Sequence, residues 1–500
     1  MATLSKTKLL AYRQCPKRLW LEIHKSKLCV YSAATEASFE VGHKVGDIAQ
    51  NLYDPKGKGS KIKLDQNNLS AAIALSTELL TLSNPIFEAG FSAGGARAFA
   101  DVLLPGKKAS KKVWRMIEVK SSTSVKDYHR DDAAIQAFIA RSAGVPLSAI
   151  SLAHIDSSWV YPGGKDYSGL LLENDLTEEA FARSDEVKAW IAEAQLIAGK
   201  RKEPALCTGK HCGDPYECGF LEYCQSQEPL IEFPVNWLPR IQTKALKDHI
   251  DEIGATDLRH VPDALLNERQ LCVKKHTLAK KVYFDAAGAA SDLKPHKLPA
   301  YFLDFETIQF VVPIWKGTRP YQQIPFQFSV HRLARSGKLD HQSFLDLSGN
   351  DPSKAFADAL IANCGDRGPV FVYNASFEKT RIGDLAVRFP KLKAPLLAIN
   401  ARVVDLRPIA EKRYYHPSQQ GSWSIKKVLP AIAPDLSYDD LDGVQDGGMA
   451  QLAFMEAIAP VTSAERKAQI LEQLLKYCGL DTFAMVRLWQ FLSGREALVS

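Results

Sequence analysis

Two acids placed two positions apart inside an apolar strand constrain this 500-residue chain more than any other feature. The stretch Tyr301-Phe302-Leu303-Asp304-Phe305-Glu306-Thr307 has the composition of a strand. Residues i and i+2 of a strand point to one face, so Asp304 and Glu306 project together while Leu303 and Phe305 turn into the core. Carboxylates held this close repel unless a cation or a proton lies between them. The pair reads as a ligand set for a divalent ion, Mg²⁺ or Mn²⁺. The plain alternative is a solvent-facing strand edge with two acids by chance.

Three further pieces bring polar groups to strand and helix ends. Val370 to Glu378 is an apolar, β-rich run that stops at Asn374 and continues as a helix start, with Ser376 as a candidate cap and Glu378 in the first turn. Arg402 to Leu406 ends a third apolar piece on Asp405. From about Thr462 to Leu492 the apolar residues recur at helical period, which sets Tyr477 and Asp481 at i and i+4 on one face. An acid and a phenol on one helix face can hold a metal and orient a water.

Asp304-x-Glu306, Asn374-x-x-x-Glu378 and Tyr477-x-x-x-Asp481, in that order, resemble the DEDD exonucleases of the DnaQ and RNase D type. The resemblance covers roughly residues 297 to 495 and implies an RNase H-like fold. It implies that Asp304, Glu306, the motif-two acid and Asp481 bind two metal ions and that Tyr477 positions the attacking water. Asn374 and Asp405 are accessory by the same resemblance. Motif two of that family usually ends in Asp, and this chain has Glu378.

The length exceeds what one core usually supports, so more than one domain is expected. No apolar run approaches 18 residues, which excludes a membrane-spanning helix. Met1 to Arg13 carries no apolar stretch of signal-peptide length, and the expected location is cytoplasmic. Net charge is +6, only mildly basic, but Pro105 to Arg130 carries eight Lys or Arg against two acids. That patch suits contact with a phosphate backbone, or it is a solvated loop. There is no Walker A motif and hence no ATP-driven helicase.

The first half holds a second set of acids. Ile86 to Phe91, Ala98 to Leu104 and Val113 to Lys120 read as strands, followed by a helix from about Tyr128 to Ser142. Glu118 and Lys120 share a strand face, and Asp101 comes from the neighbouring strand. An Asp with Glu-x-Lys on adjacent strands suits phosphodiester cleavage: acids hold a metal and the Lys meets charge on the phosphate. An ordinary cross-strand ion pair is the plain alternative. Joined by Glu88 and by Gln136 on the following helix, these residues resemble the RecB-like branch of the PD-(D/E)xK nucleases. That resemblance makes Asp101, Glu118 and Lys120 the core site, Asp101 and Glu118 metal ligands, and Glu88 and Gln136 accessory. His43 is out of register with the family pattern and reads as an exposed helix residue.

Cys207, Cys212, Cys218 and Cys224 fall within 18 residues, and Cys15 lies between two short helices near the start. Four thiolates suit zinc or an iron–sulfur cluster. Cys15 with Cys212, Cys218 and Cys224 resembles the iron–sulfur nucleases of the RecB-like branch, which implies a [4Fe–4S] cluster clipping the domain ends together and leaves Cys207 outside the ligand set. The chain as a whole resembles an uncharacterised bacterial fusion family. The expectation is α/β, with two domains. Residues 1–226 form a PD-(D/E)xK restriction-endonuclease-like domain, 227–296 a helical linker with a possible helix-hairpin-helix-like element, and 297–500 an RNase H-like exonuclease domain. The expected function is metal-dependent cleavage of nucleic acid, single-stranded DNA or DNA ends, with 3′→5′ polarity in the last domain. A nucleic-acid-binding scaffold with inactive sites and an RNA-processing exonuclease are the alternatives.

Overall fold

The strand that carries Asp304 and Glu306 spans Ala300–Ile308 and is buried along almost its whole length. It belongs to a computed structural model that describes residues 3–65, 67–108 and 111–495, apart from the side chain of residue 253. The described residues are mixed α and β and divide into two compact units. Unit 1 comprises 1–229 with 310–321, and unit 2 comprises 230–309 with 322–500.

Unit 2 is built on a five-stranded sheet. Its order is Leu339–Leu345, Ile324–Leu333, Ala300–Ile308, Val370–Val372 and Val403–Asp405. The first three strands are antiparallel and the last two run parallel to the Asp304 strand. Alternation along the central strand divides its side chains: Leu303 and Phe305 pack with Phe328 and Phe356 on one face, and Phe302 packs with Phe371 and Trp489 on the other. The helix Ala464–Ser493, capped by Ser463 and closed by Gly494, covers that second face.

The linker expected over 227–296 is not a separate piece, because its apolar residues have a place in unit 2. Val273, Ala289 and Leu293 join the core of Phe302 and Trp489, and Leu246, Leu258 and Val261 form a smaller core. Tyr283–Phe284 pairs with Tyr414–Tyr415. The stretch Ile253–Pro262, expected to be helix-hairpin-helix-like, is a helix ending at left-handed Gly254 followed by a single turn at Leu258–His260. Tyr414, Tyr415 and Trp423 are core residues.

Unit 1 is a seven-stranded sheet in which Ile86–Ala93, Ala96–Lys108 and Lys111–Lys120 are antiparallel neighbours. The helix Asp127–Ser142 then crosses over to Leu147–Ile155, which lies parallel to the Lys120 strand. Residues 105–108 and 111–112, expected as part of a loop, instead extend the two strands, pairing out to Lys108 and Lys111, and residues 109 and 110 of that expected loop lie outside the described residues. Residues 310–321 belong to unit 1: Val312 is buried with Val45, Ile155 and Leu170, and Tyr161 and Thr318 exchange a backbone hydrogen bond.

Gly421 tests the placement of the former linker. Its φ is +75°, and a Cβ there would lie 1.6 Å from the Trp237 carbonyl oxygen. Gly421→Ala is expected to cost more than about 1 kcal/mol in chemical denaturation, since it adds backbone strain and pushes Trp237 away. A free connector at 237 would leave stability unchanged.

Candidate functional site

Asp304, Glu306 and Asp481 each offer a carboxylate oxygen within 4.8 Å of the other two. Two come from one strand by the period-2 rule, and the third from the helix packed over that face, one turn beyond Tyr477. Glu306 and Asp481 are buried. Burial first, and then the charges of Asp481, Glu306 and Glu378, hold the Asp304 carboxyl well above the ordinary range. Burial and Asp481 push Glu306 up to about 8, and burial pushes Asp481 up to about 6. Like charges this close cost about 4 kcal/mol per pair even at an effective dielectric of 20. A proton or a cation must offset that repulsion.

Glu378 stands in the first turn of helix Ala375–Arg388, which follows the strand Val370–Val372. Its charge acts on Asp304, although it lies outside the three-carboxylate group. The carboxylate is buried, its Oε2 has no hydrogen-bond partner, and burial pushes its pKa up to about 8. A hard divalent cation bound by oxygen donors fits this set: three converging carboxylates, and a fourth nearby with an unpaired oxygen. Asp405 takes a bracing role. Its Oδ2 accepts from Ala375 N at 2.9 Å and its Oδ1 from Arg407 N at 2.9 Å, which fixes the turn that aims Glu378. Asn374 is the cap residue, and its Oδ1 accepts from Ser376. Ser376, the candidate cap, lies inside the helix.

Two more groups stand at this site. Tyr438 donates to Asp481 Oδ1 at 2.6 Å from an irregular run that carries no period. Tyr477 stands one helical turn before Asp481, its ring edge-on to that of Tyr438 at 6.3 Å. Lys426 stacks over the rings of Tyr438 and Tyr477 at 5.2 and 5.1 Å and donates to the Gln445 carbonyl. Its ammonium acts favourably on both Glu306 and Asp481. Tyr438 carries no local signal in the sequence, whereas Lys426 lies in the run Ser422 to Lys427, which reads from the sequence as a flank of this cleft.

Unit 1 also gathers its expected residues, with two additions. Glu118 and Lys120 share a face of Lys111–Lys120 and Gln136 reaches Glu118 from the crossover helix. Glu88 has φ +59°, an unusual conformation for a non-glycine residue, in a break of the pairing opposite Asp101. Asp101 Oδ2 accepts from Val119 N at 2.7 Å, and burial with the Glu118 charge pushes Asp101 up to about 8. Lys6 and Asp132 are the additions. Lys6 donates to Glu118 at 2.7 Å, and Lys120 donates to Glu118 at 2.6 Å and to Asp132 at 2.7 Å. His43 lines the cleft together with Glu88, Asp101 and Lys120.

Cys15, Cys212, Cys218 and Cys224 are buried and line one pocket, with Phe220 behind them. Burial raises the Cys218 and Cys224 thiols, while Arg18 beside Cys218 and Lys17 beside Cys224 favour their thiolates. Cys207 lines the same pocket but is exposed. Zinc bonded to thiolates at about 2.3 Å would draw their sulfurs to within about 4 Å of one another. The buried thiols suit either zinc or an iron–sulfur cluster.

Residues 301–424 match a family model described as a domain of unknown function, DUF2779. The match contains Asp304, Glu306 and Glu378 and ends before Tyr477 and Asp481. The chain is 28% identical over 219 residues to the uncharacterized protein MG366 of Mycoplasma genitalium, covering 40% of this chain and 32% of that protein. It is 29% identical over 210 residues to the MG366 homolog of Mycoplasma pneumoniae, covering 38% and 32%. The matched stretch thus spans about a third of the length of the curated relatives.

A pH prediction follows from Glu378. In chelator its folded pKa of about 8 exceeds the unfolded 4.5, so its contribution to stability is full below pH 4.5 and is lost as pH rises toward 8. Denaturation midpoints of the metal-free protein should fall across that window, and Glu378→Gln should flatten the fall. An unaltered slope in the variant would mean that Glu378 is paired in the folded protein.

Proposed function

We propose that this protein is a metal-dependent nuclease whose principal site is the carboxylate group of unit 2. The observation that carries the reading is the convergence of Asp304, Glu306 and Asp481 within 4.8 Å, beside a buried Glu378 oxygen without a partner. An antiparallel three-stranded meander continued by two parallel strands, with a helix over the catalytic face, supports an RNase H-like fold for unit 2. The crossover helix between parallel strands, beside Asp101, Glu118 and Lys120, supports a PD-(D/E)xK-like fold for unit 1.

Asp304, Glu306 and Asp481 would hold Mg²⁺ or Mn²⁺, with Glu378 toward a second ion. Bound there, the metal supplies Lewis acidity toward phosphate oxygens and a water of lowered pKa. The remaining work falls to the chain. Tyr477 orients the attacking water from its place beside Asp481, and Tyr438 keeps that carboxylate in position. Lys426 meets negative charge on the scissile phosphate. Water oxygen bonds to phosphorus, the bond from phosphorus to the 3′ oxygen breaks, and a 5′-nucleotide leaves from the 3′ end. Single-stranded DNA or DNA ends are the proposed substrate, with RNA as the competing one. A scaffold role is favoured only for unit 1, where lysines already neutralise Glu118 and Asp132. Among the described residues no helix is long and apolar enough to cross a membrane.

End-labelled DNA and RNA strands with Mg²⁺ or Mn²⁺ test this directly. Asp304→Asn is expected to slow cleavage by at least about 10³-fold and Tyr477→Phe by about 10-fold to 100-fold. Glu378→Asp should be tolerated. A 3′-end ladder that survives Asp304→Asn would sink the reading, as would the absence of any ladder with every metal.

The thiol group of unit 1 is proposed to hold a [4Fe–4S] cluster. Protein purified without oxygen should be brown and contain iron and sulfide. Cys218→Ala should remove the colour and lower the melting temperature, because ligand binding of this kind contributes directly to folding. Colourless protein with stoichiometric zinc would make the centre a zinc site, and protein with neither would end the proposal.

A further inference from the structure

The acids of unit 1 meet a different fate from those of unit 2. Lys6 Nζ lies 2.7 Å from Glu118 Oε1 and 3.2 Å from Asp132 Oδ1. Lys120 Nζ lies 2.6 Å from the same Glu118 oxygen and 2.7 Å from Asp132 Oδ2. Gln136 Nε2 donates to Glu118 Oε2 and to Asp132 Oδ1. Two buried carboxylates and two ammoniums thus form a closed quartet of zero net charge. Every carboxylate oxygen in it has a donor. The acids are almost fully enclosed, and only the lysine side chains keep some exposure, 18% and 23%.

Lys6 is placed there against local preference. It opens the helix Lys6–Gln14, where the helix dipole disfavours a cation, and that first turn carries no acid. Its backbone is nevertheless fixed. Leu4 and Ser5 pair with Ala96 and Arg97 on the strand that carries Asp101, Ser5 caps the helix, and Leu4 and Leu9 are buried. A residue that breaks a local rule in a rigid setting marks a compensating interaction elsewhere. Here that interaction is the acid pair. A divalent ion entering at Glu118 would meet two ammoniums within contact distance, and among the described residues no three acids of unit 1 converge as those of unit 2 do.

We infer that Lys6 is the resident counter-ion of the Glu118–Asp132 pair in unit 1, holding between these two carboxylates the place of a divalent cation, so that the pair is neutralised without metal. Lys6 is a positioning residue: it neutralises Glu118 and, through the shared carboxylates, fixes the ammonium of Lys120. The inference rests on reading Glu118 and Lys120 as the phosphodiester site of unit 1, and departs from that reading in the metal it calls for.

The experiment counts Mn²⁺ bound by full-length protein in equilibrium dialysis, in an Asp304→Asn, Asp481→Asn background that silences unit 2. That protein should bind no Mn²⁺ at Glu118, and adding Glu118→Gln should change nothing. Adding Lys6→Met instead should create one site per chain, at least about tenfold tighter than any in the parent. Lys6→Arg, which restores the charge, should not create it. A Mn²⁺ ion bound by the Lys6-containing protein and lost on Glu118→Gln would overturn the inference, whether or not the Lys6 variants fold. So would a folded Lys6→Met protein that gains no ion. Cleavage assays on the same proteins separate the two readings: a Lys6→Met protein that gains the ion yet never cuts supports the counter-ion and counts against catalysis by unit 1.

Discussion

Repulsion between carboxylates that the backbone holds together is the constraint on which unit 2 depends. The sheet sets Asp304 and Glu306 on one face of a buried central strand, and the helix covering that face brings Asp481 to within 4.8 Å. None of these positions is adjustable: Phe302 and Trp489 pack the same layer, and Leu303 and Phe305 lock the other. The fold therefore holds these carboxylates together against their repulsion, which only a proton or a positive charge offsets. Lys426 and the Tyr438 hydroxyl on Asp481 reduce the cost of that repulsion without removing it.

Unit 1 resolves the same problem from inside the chain. Its acids have ammoniums in contact, and the charges close on themselves. The difference tracks the elements that supply them. In unit 2 the neighbouring strand sets the uncharged Ser329 opposite Asp304 and Gln327 opposite Glu306, and no ammonium lies in hydrogen-bond contact with the three acids among the described residues. In unit 1 the start of the helix Lys6–Gln14 and the end of the strand Lys111–Lys120 each deliver a lysine to one carboxylate oxygen. Buried pairs of this kind are costly to break singly, because each leaves an uncompensated charge behind.

What could be read from the sequence was what depends on local period. Alternation placed Asp304 with Glu306 and Glu118 with Lys120, and the helical repeat placed Tyr477 with Asp481. The long last helix, from Ala464 to Ser493, matched its period closely. What could not be read depends on partners far along the chain. Nothing local to Lys6, or to Asp132 four residues before Gln136, marks either for a buried site, and the strand pairing of Leu4 brings Lys6 across 112 residues to a 2.7 Å contact with Glu118. Tyr438 lies in a run without periodicity. The polar average of 227–296 hid widely spaced apolar residues such as Val273 and Leu293 that complete the core of unit 2. Residues 310–321 followed the Asp304 strand in sequence but found their buried neighbours, Val45 and Ile155, in unit 1.

One short rod joins the two centres of unit 1. The helix Lys6–Gln14 begins with the ammonium on Glu118 and ends at Cys15, its C-terminal cap and a member of the thiol group. Nine residues at about 1.5 Å each set the two ends about 13 Å apart, with no loop between them to absorb a shift. The far end is held by the late part of the unit: Gln14 donates to the carbonyls of His211 and Tyr216, Lys17 to that of Leu206, and Trp20 to that of Lys200. These bonds close a loop of nearly the whole unit around Cys15. The thiol group and the ion quartet thus lie at the two ends of one helix, each end tied separately to the sheet or to the late part of the unit.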